Sequence, residues 1–330
     1  MKFLENSETT DCEYKTRISL LPQRCIAYKA SNNAYEYQGF WFRKEHLRGL
    51  MWAQDHFIPQ PASTLIASYP KSGTTWLKSL SFSIATRNKY DVSSNPLQTA
   101  SPHECVPFLE LDIPRNPSHK YYPEIPLFSA HTPYTSLPES ITGASDCKIV
   151  YVYRDPTDTF VSWWHFVHKL APKDAEFVSI EEAFQQFSEG YSFYGPYWEH
   201  VLGYWRASLQ RPGMILFLKY ENLKNDPVSN VKKLAEFIGY PFSAQEERDG
   251  VVERLVDSCS FQHMSGLEVN KSGSSSLGVE RRFPNSAYFR KAKAGDWKNH
   301  LPAEMKEQMD QLMEQKFRDS GLTWSNTSDP

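Results

Sequence analysis

The stretch YPKSGTTW, Tyr69 to Trp76, places a lysine, a glycine and three hydroxyls between an apolar β-branched run and the start of a helical pattern. A chain that passes from strand to helix in this way turns unpaired backbone N–H groups and the positive end of a helix dipole toward any anion set before it. Gly73 keeps a Cβ out of that anion's path, and Lys71 adds a full positive charge. The chemistry implied is phosphate binding. The order is not GxxxxGK followed by Ser or Thr, because here the lysine precedes the glycine, so the ligand need not be a nucleoside triphosphate. The plain alternative is that Pro70 and Gly73 only turn the chain.

Three further features bear on an anion. Arg154, with Ser162 two helical turns on, offers a guanidinium and a hydroxyl to one phosphate, or else forms an ordinary surface turn with Asp155. Arg281 to Gly295 carries Arg281, Arg282, Arg290, Lys291 and Lys293 with no acidic residue between them. It is either a solvated basic loop or part of a site for several phosphate oxygens. His131 is a candidate general base, although a lone histidine is more often structural.

The elements that must position these residues alternate. Thr64–Ser68, Pro126–His131, Cys147–Tyr153 and Met214–Lys219 read as short strands. A helix from about Thr74 or Thr75 follows from Leu77, Leu80, Ile84 and Ala85, and others are predicted over Glu45–Phe57, Asp158–Lys169 and Val228–Ile238. Pro302 opens a last helix, with Met305, Met309, Leu312, Met313 and Phe317 as packing residues and Gly321 as its close. The pattern predicts an α/β fold, a single domain with a central parallel sheet flanked by helices. In such a sheet ligands bind beyond the carboxyl ends of the strands. Lys71, His131, Arg154 and Tyr220, each at or just past a strand end, are therefore expected at one edge. Residues 1–34 read as a peripheral extension to a domain of 35–330, and Asn270–Gly278, rich in serine and glycine, as either a mobile segment over a site or an ordinary surface loop.

The chain has 330 residues, 40% of them hydrophobic and 23% charged, and a net charge of −3, which argues against broad nucleic-acid or membrane-surface binding. Any anion site must be local. The five cysteines are scattered without metal-ligand or disulfide spacing, and neither a signal segment nor a membrane-spanning run is visible. A cytoplasmic protein without a metal is expected.

The set YPKSGTTW, YRDPTDTFVSWWHF and FRKAKAGDWKNHL, in this order, resembles the soluble sulfotransferase family, which uses 3′-phosphoadenosine 5′-phosphosulfate. The likeness extends over about Phe40 to Trp324, and FVSWWHF, YWEHVLGYW and ILFLKYENLKNDP are similar to its plant branch. The resemblance implies sulfuryl transfer to a hydroxyl of a small, largely apolar metabolite: a flavonoid, a hormone-like compound or a desulfoglucosinolate. It implies that Lys71, Ser72, Gly73, Thr74, Thr75 and Trp76 hold the 5′-phosphosulfate, with Lys71 at the bridging oxygen. Arg154 and Ser162 would take the 3′-phosphate together with Arg290, Lys291 and Ala292. Trp76 and Phe261 would sandwich the adenine near Tyr220 and Ser260, and His131 would be the general base.

Phe108, Tyr134, His165, Tyr191 and Phe193 are candidate acceptor walls. Two positions depart from the family pattern: Ala292 stands for a glycine, and Ser129 for a lysine frequent in animal members. The short animal dimer motif fits Lys298–Glu307 only at its ends, so a monomer or weak homodimer is expected. The competing readings are a catalytically silent nucleotide-binding protein and an ATP-dependent phosphotransferase, the latter lacking its Walker lysine.

Overall fold

Four runs that are apolar on both sides form the central sheet of the computed structural model, which describes residues 12–27, 34–115, 125–143, 146–171, 175–275 and 283–323. They are β1 (Thr64–Ser68), β2 (Leu127–Ala130), β3 (Lys148–Tyr153) and β4 (Ile215–Lys219). All pair in parallel, in the order β2-β1-β3-β4; Thr64 lies opposite both Leu127 and Lys148, and Ile149 opposite Ile215. The helices that bear on the cores and the site are α1 (Lys44–His56), α2 (Thr74–Thr86), α3 (Pro156–Leu170), α4 (Tyr197–Gln210), α5 (Pro227–Ile238) and α6 (Ala303–Phe317).

Successive strand residues point to opposite faces, and here both faces need cover. Ile66, Val150, Val152, Leu216 and Leu218 pack with Leu77 and Leu80 of α2 and Val231 and Leu234 of α5. Leu65, Ala67, Tyr151 and Tyr153 pack with Leu50 of α1, Phe160 of α3, Tyr204 of α4 and Met309 of α6. The sheet is a shared floor for two cores.

Local chemistry sets where the helices begin. In α3, Pro156 takes the first position and Asp155 caps it, its Oδ1 accepting from the Asp158 N–H at 2.9 Å. In α5, Pro227 and the Asp226 cap do the same, and left-handed Gly239 ends the helix. Helix α2 has no such cap: Gly73 precedes it at φ 117°, and no side chain accepts from its first turn.

Two expectations need correction. The stretch read as a peripheral extension is helical over residues 12–19. It seats Tyr14, Ile18, Ile26 and Ala27 in the core, and the Tyr14 hydroxyl donates to Asp55 at 2.7 Å. Tyr14 and Ile18, four apart, share one helical face that a helix of about two turns is too short to advertise. The segment read as mobile is packed where it is described, since Asn270 and Ser275 are buried and Ser274–Ser275 pairs with Phe283–Pro284. Positions 276–278 of that segment, and Arg281 and Arg282 of the basic run, lie outside the described residues.

Candidate active site

The four residues expected at the strand ends meet. Lys71, His131, Arg154 and Tyr220 line one cavity of about 880 Å³ at the carboxyl edge of the sheet. One end of it is built by α2. Lys71 and Gly73 are both left-handed, at φ 69° and 117°, so the backbone curls ahead of the helix and leaves the first-turn N–H groups without carbonyl partners. A positive φ in a non-glycine residue is strained, and the strain falls on the lysine of the octet. A Cβ on Gly73 would stand 2.9 Å from the Tyr220 ring. Only glycine fits there.

Thr74, Thr75 and Trp76 line the cavity, whereas Ser72 is buried in its wall. The Ser72 Oγ and the Trp76 Nε1 are buried without a hydrogen-bond partner. Trp76 meets Tyr220 edge-on at 5.7 Å, and Phe261, 37% exposed, also borders the cleft. Ser260 lines the cleft as well, although its hydroxyl caps a short helix by accepting from His263 N–H at 3.2 Å.

Arg154, Ser162, Arg290, Lys291 and Ala292 form another part of the lining. This corner is held by two acidic residues. Asp158 accepts from the backbone N–H groups of Gly295 at 2.7 Å and Trp297 at 3.0 Å, and from Arg154 at 3.3 Å. Buried Asp296 pairs with Arg290 at 2.5 Å and Lys291 at 3.0 Å, and these hydrogen bonds hold its carboxyl well below the usual range even though burial opposes them. Ala292, next after Lys291, sits at φ 50°, its carbonyl accepting from Lys224 at 2.6 Å, while the Lys293 carbonyl accepts from Arg154 at 2.7 Å. The Nε atoms of Arg154 and Arg290 are buried and unsatisfied.

Burial, with the positive charges of Arg290, Arg154 and Lys169, pushes the Lys71 ammonium down to about 7. Cations packed this tightly in a net-negative protein are spaced for a ligand of several negative charges.

His131 lies beside this cluster, on the residue after β2. Its Nδ1 is 2.8 Å from the Ser68 carbonyl, so Nδ1 carries the proton and Nε2 keeps the lone pair. Burial is the main reason that its pKa falls to about 3, which leaves the ring neutral at physiological pH. Its backbone is clamped on both sides. The His131 N–H donates to Glu110 Oε1 at 2.7 Å, and its carbonyl accepts from His200 Nε2 at 2.8 Å.

Of the five candidate acceptor walls, Phe108 and Phe193 line the cavity. The other three do not. Tyr134 packs edge-on to Tyr204 at 5.5 Å, His165 contacts His300 at 3.3 Å, and Tyr191 lies under Arg24 at 3.5 Å. Trp163, Phe166, Val167 and Tyr194 take their place. The error at His165 is one of helical phase: in α3, Ser162, Trp163, Phe166 and Val167 line the cleft, and position 165 falls off that stripe.

Among the polar residues in and around the site that went unread in the sequence, four bear on its chemistry. Glu110, 1% exposed, lies under His131, and burial raises its carboxyl to about 7. Lys224, His103 and Lys78 are the others. Lys224 stands in the ordinary-looking run YENLKND, and nothing in its sequence marks it.

The fold and the cleft define an α/β protein with a cationic pocket beside a neutral, oriented histidine. The model of the Sulfotransferase domain matches residues 61–321, and the chain belongs to that family. It is 46% identical over 321 residues to flavonol 4′-sulfotransferase of Flaveria chlorifolia, covering 96% of this chain and 99% of the relative. It is 47% identical to cytosolic sulfotransferase 17 of Arabidopsis thaliana, over 97% and 92% of the two chains. A crystal structure of an Arabidopsis thaliana sulphotransferase superposes with a TM-score of 0.71 at 35% identity, covering 94% of each chain.

Proposed function

We propose that this protein moves a sulfuryl group from 3′-phosphoadenosine 5′-phosphosulfate to a hydroxyl of a small, largely apolar metabolite of the flavonol kind, in the cytoplasm. The observation that carries this reading is the cation cluster of Lys71, Arg154, Arg290 and Lys291 gathered at an uncapped helix N-terminus, with the lone pair of His131 close by. The unsatisfied Ser72 Oγ, Trp76 Nε1, Arg154 Nε and Arg290 Nε fit a ligand rich in oxygen and ring nitrogen. The names of the flavonol and cytosolic relatives support the acceptor class and the compartment.

When bound, the donor supplies the sulfuryl group and leaves as the 3′,5′-bisphosphate. Residues 71–76 hold its 5′ end, and Arg154, Ser162, Arg290 and Lys291 hold its 3′-phosphate, with Ala292 against it. Trp76 and Phe261 flank the base, beside Tyr220 and Ser260. His131 Nε2 takes the proton of the attacking hydroxyl. Lys71 and the first-turn N–H groups of α2 neutralise the charge that develops on the bridging oxygen. Phe108, Trp163, Phe166 and Phe193 give the acceptor an aromatic slot suited to a flat polyphenol. The unit is a monomer or weak homodimer, and its core reaches back at least to Tyr14.

The test is turnover of the sulfated nucleotide against a panel of flavonols and other hydroxylated metabolites, read by mass spectrometry. His131→Ala is expected to lose about 10²- to 10⁴-fold in turnover while still binding the bisphosphate. A variant that kept most of its turnover would remove His131 from the role of base, and a wild-type chain that binds the nucleotide but sulfates nothing would favour a silent binder.

A further inference from the structure

Lys78 is fully buried on α2, two residues beyond the octet, and the proposed chemistry makes no use of it. Its Nζ donates to the Val106 carbonyl at 2.9 Å, lies 3.3 Å from the centre of the Phe108 ring and stands 3.2 Å from His103 Nδ1. His103 is 5% exposed, packed between Phe108 and Tyr288 at ring separations of 5.6 and 4.2 Å. Its other nitrogen, Nε2, is 3.2 Å from Thr75 Oγ1 at the cleft surface. A buried cation is thus joined to a hydroxyl of the phosphate-binding turn by one imidazole.

The donor inventory gives this chain a direction. An ammonium has three N–H donors and no lone pair, so His103 Nδ1 must accept from Lys78. The neutral ring then carries its proton on Nε2, which donates to Thr75 Oγ1. With its oxygen occupied as an acceptor, the Thr75 hydroxyl has its own proton to give, and the residue borders the cleft. Burial pushes the Lys78 ammonium down to about 7, an effect partly offset by the charges of Asp112 and Glu110, and the Val106 carbonyl accepts a hydrogen bond from it.

We infer that Lys78 and His103 are positioning residues for the nucleotide, orienting the Thr75 hydroxyl as a charge-assisted donor to the 5′-phosphate end. The inference rests on the sulfotransferase reading above. Lys78 reaches the ligand only through His103 and Thr75, so its charge acts without its side chain entering the cleft. Each bond in the chain polarises the next.

The test is a double-mutant cycle with 3′-phosphoadenosine 5′-phosphate as the probe, its binding read by calorimetry and folding followed by thermal denaturation. His103→Leu and Thr75→Val should each weaken binding about tenfold, the loss of one charge-assisted hydrogen bond. The double variant should be no more than about twofold weaker than either single, because both remove the same bond. Lys78→Met should behave like His103→Leu. In turnover the nucleotide KM should rise while the acceptor KM holds.

If His103→Leu does not fold, His103→Gln and His103→Asn decide. Gln keeps an amide donor near the Nε2 position and should retain binding, whereas Asn places it near Nδ1 and should lose it. Equal binding by Gln and Asn, or a double variant with the product of the single losses, overturns the relay alone. Wild-type protein that does not bind the bisphosphate overturns the sulfotransferase reading, and the relay with it.

Discussion

At the residue scale the site separates into groups that announce themselves and groups that borrow their role from distant chain. Lys71 was legible because glycine, hydroxyls and a strand end surround it, and His131 because it follows a strand. Lys78 was not. A lysine inside a helix is solvated by default, and what buries this one is the approach of Val106 and Phe108, nearly thirty residues on. Glu110 and His103 were missed for the same reason. The electrostatics of Lys71 carry a prediction. Because its folded pKa is lowered to about 7, it sheds its proton as pH rises through that value, and a bound polyanion must restore it. Affinity for the bisphosphate should therefore fall as pH rises above 7, with net proton uptake on binding. In Lys71→Arg, whose guanidinium stays charged, the fall should be shallower. Calorimetry in buffers of different ionisation enthalpy measures the uptake, and an affinity that climbs with pH would contradict the assignment.

At the scale of elements, strands were the clearest signal, since four short apolar runs are the four strands within a residue or two at each end. Helix α2 was legible from the period of its leucines. Helix α4 was not, because Tyr197, Trp198, Val201, Leu202 and Tyr204 bury most of its circumference and leave only a narrow exposed stripe of Glu199, Arg206 and Gln210 to betray a period. The basic run was visible as charge, but its conformation was hidden. Ala292 adopts a left-handed backbone that favours glycine, and that turn delivers the carbonyls of Ala292 and Lys293 to Lys224 and Arg154. An alanine held left-handed costs on the order of 1 kcal/mol relative to glycine. Ala292→Gly should accordingly raise the melting temperature slightly and tighten bisphosphate binding. Looser binding would mean that the methyl group packs usefully against the nucleotide.

At the scale of the whole molecule, a net charge of −3 hides a cationic pocket and a set of histidines kept neutral by burial. His131 falls to about 3, His200 and His165 to about 4, and His103 well below its ordinary value. Unfolded, each titrates near 6.5, so below that pH the unfolded chain binds more protons and stability falls as pH falls. Glu110, Glu221 and Asp155, raised by burial, take up protons in the folded state and trim the slope. The melting temperature should drop between pH 6.5 and about 5, and the drop should shrink in His200→Phe; a melting temperature that rose toward acid would refute the account. The Asp158 clasp has a consequence for synthesis. It ties the first turn of α3 to the backbone of Gly295 and Trp297, about 138 residues later. A ribosome that has delivered all four strands has not yet delivered the pocket, because the corner of Arg290, Lys291 and Ala292 lies about 70 residues beyond the end of β4. On the proposed reading, nucleotide affinity would thus arrive only after all four strands are made, and a chain clipped before Gly295 would lose the corner of the pocket together with Met309 and Phe317 of α6, which cover one face of the sheet.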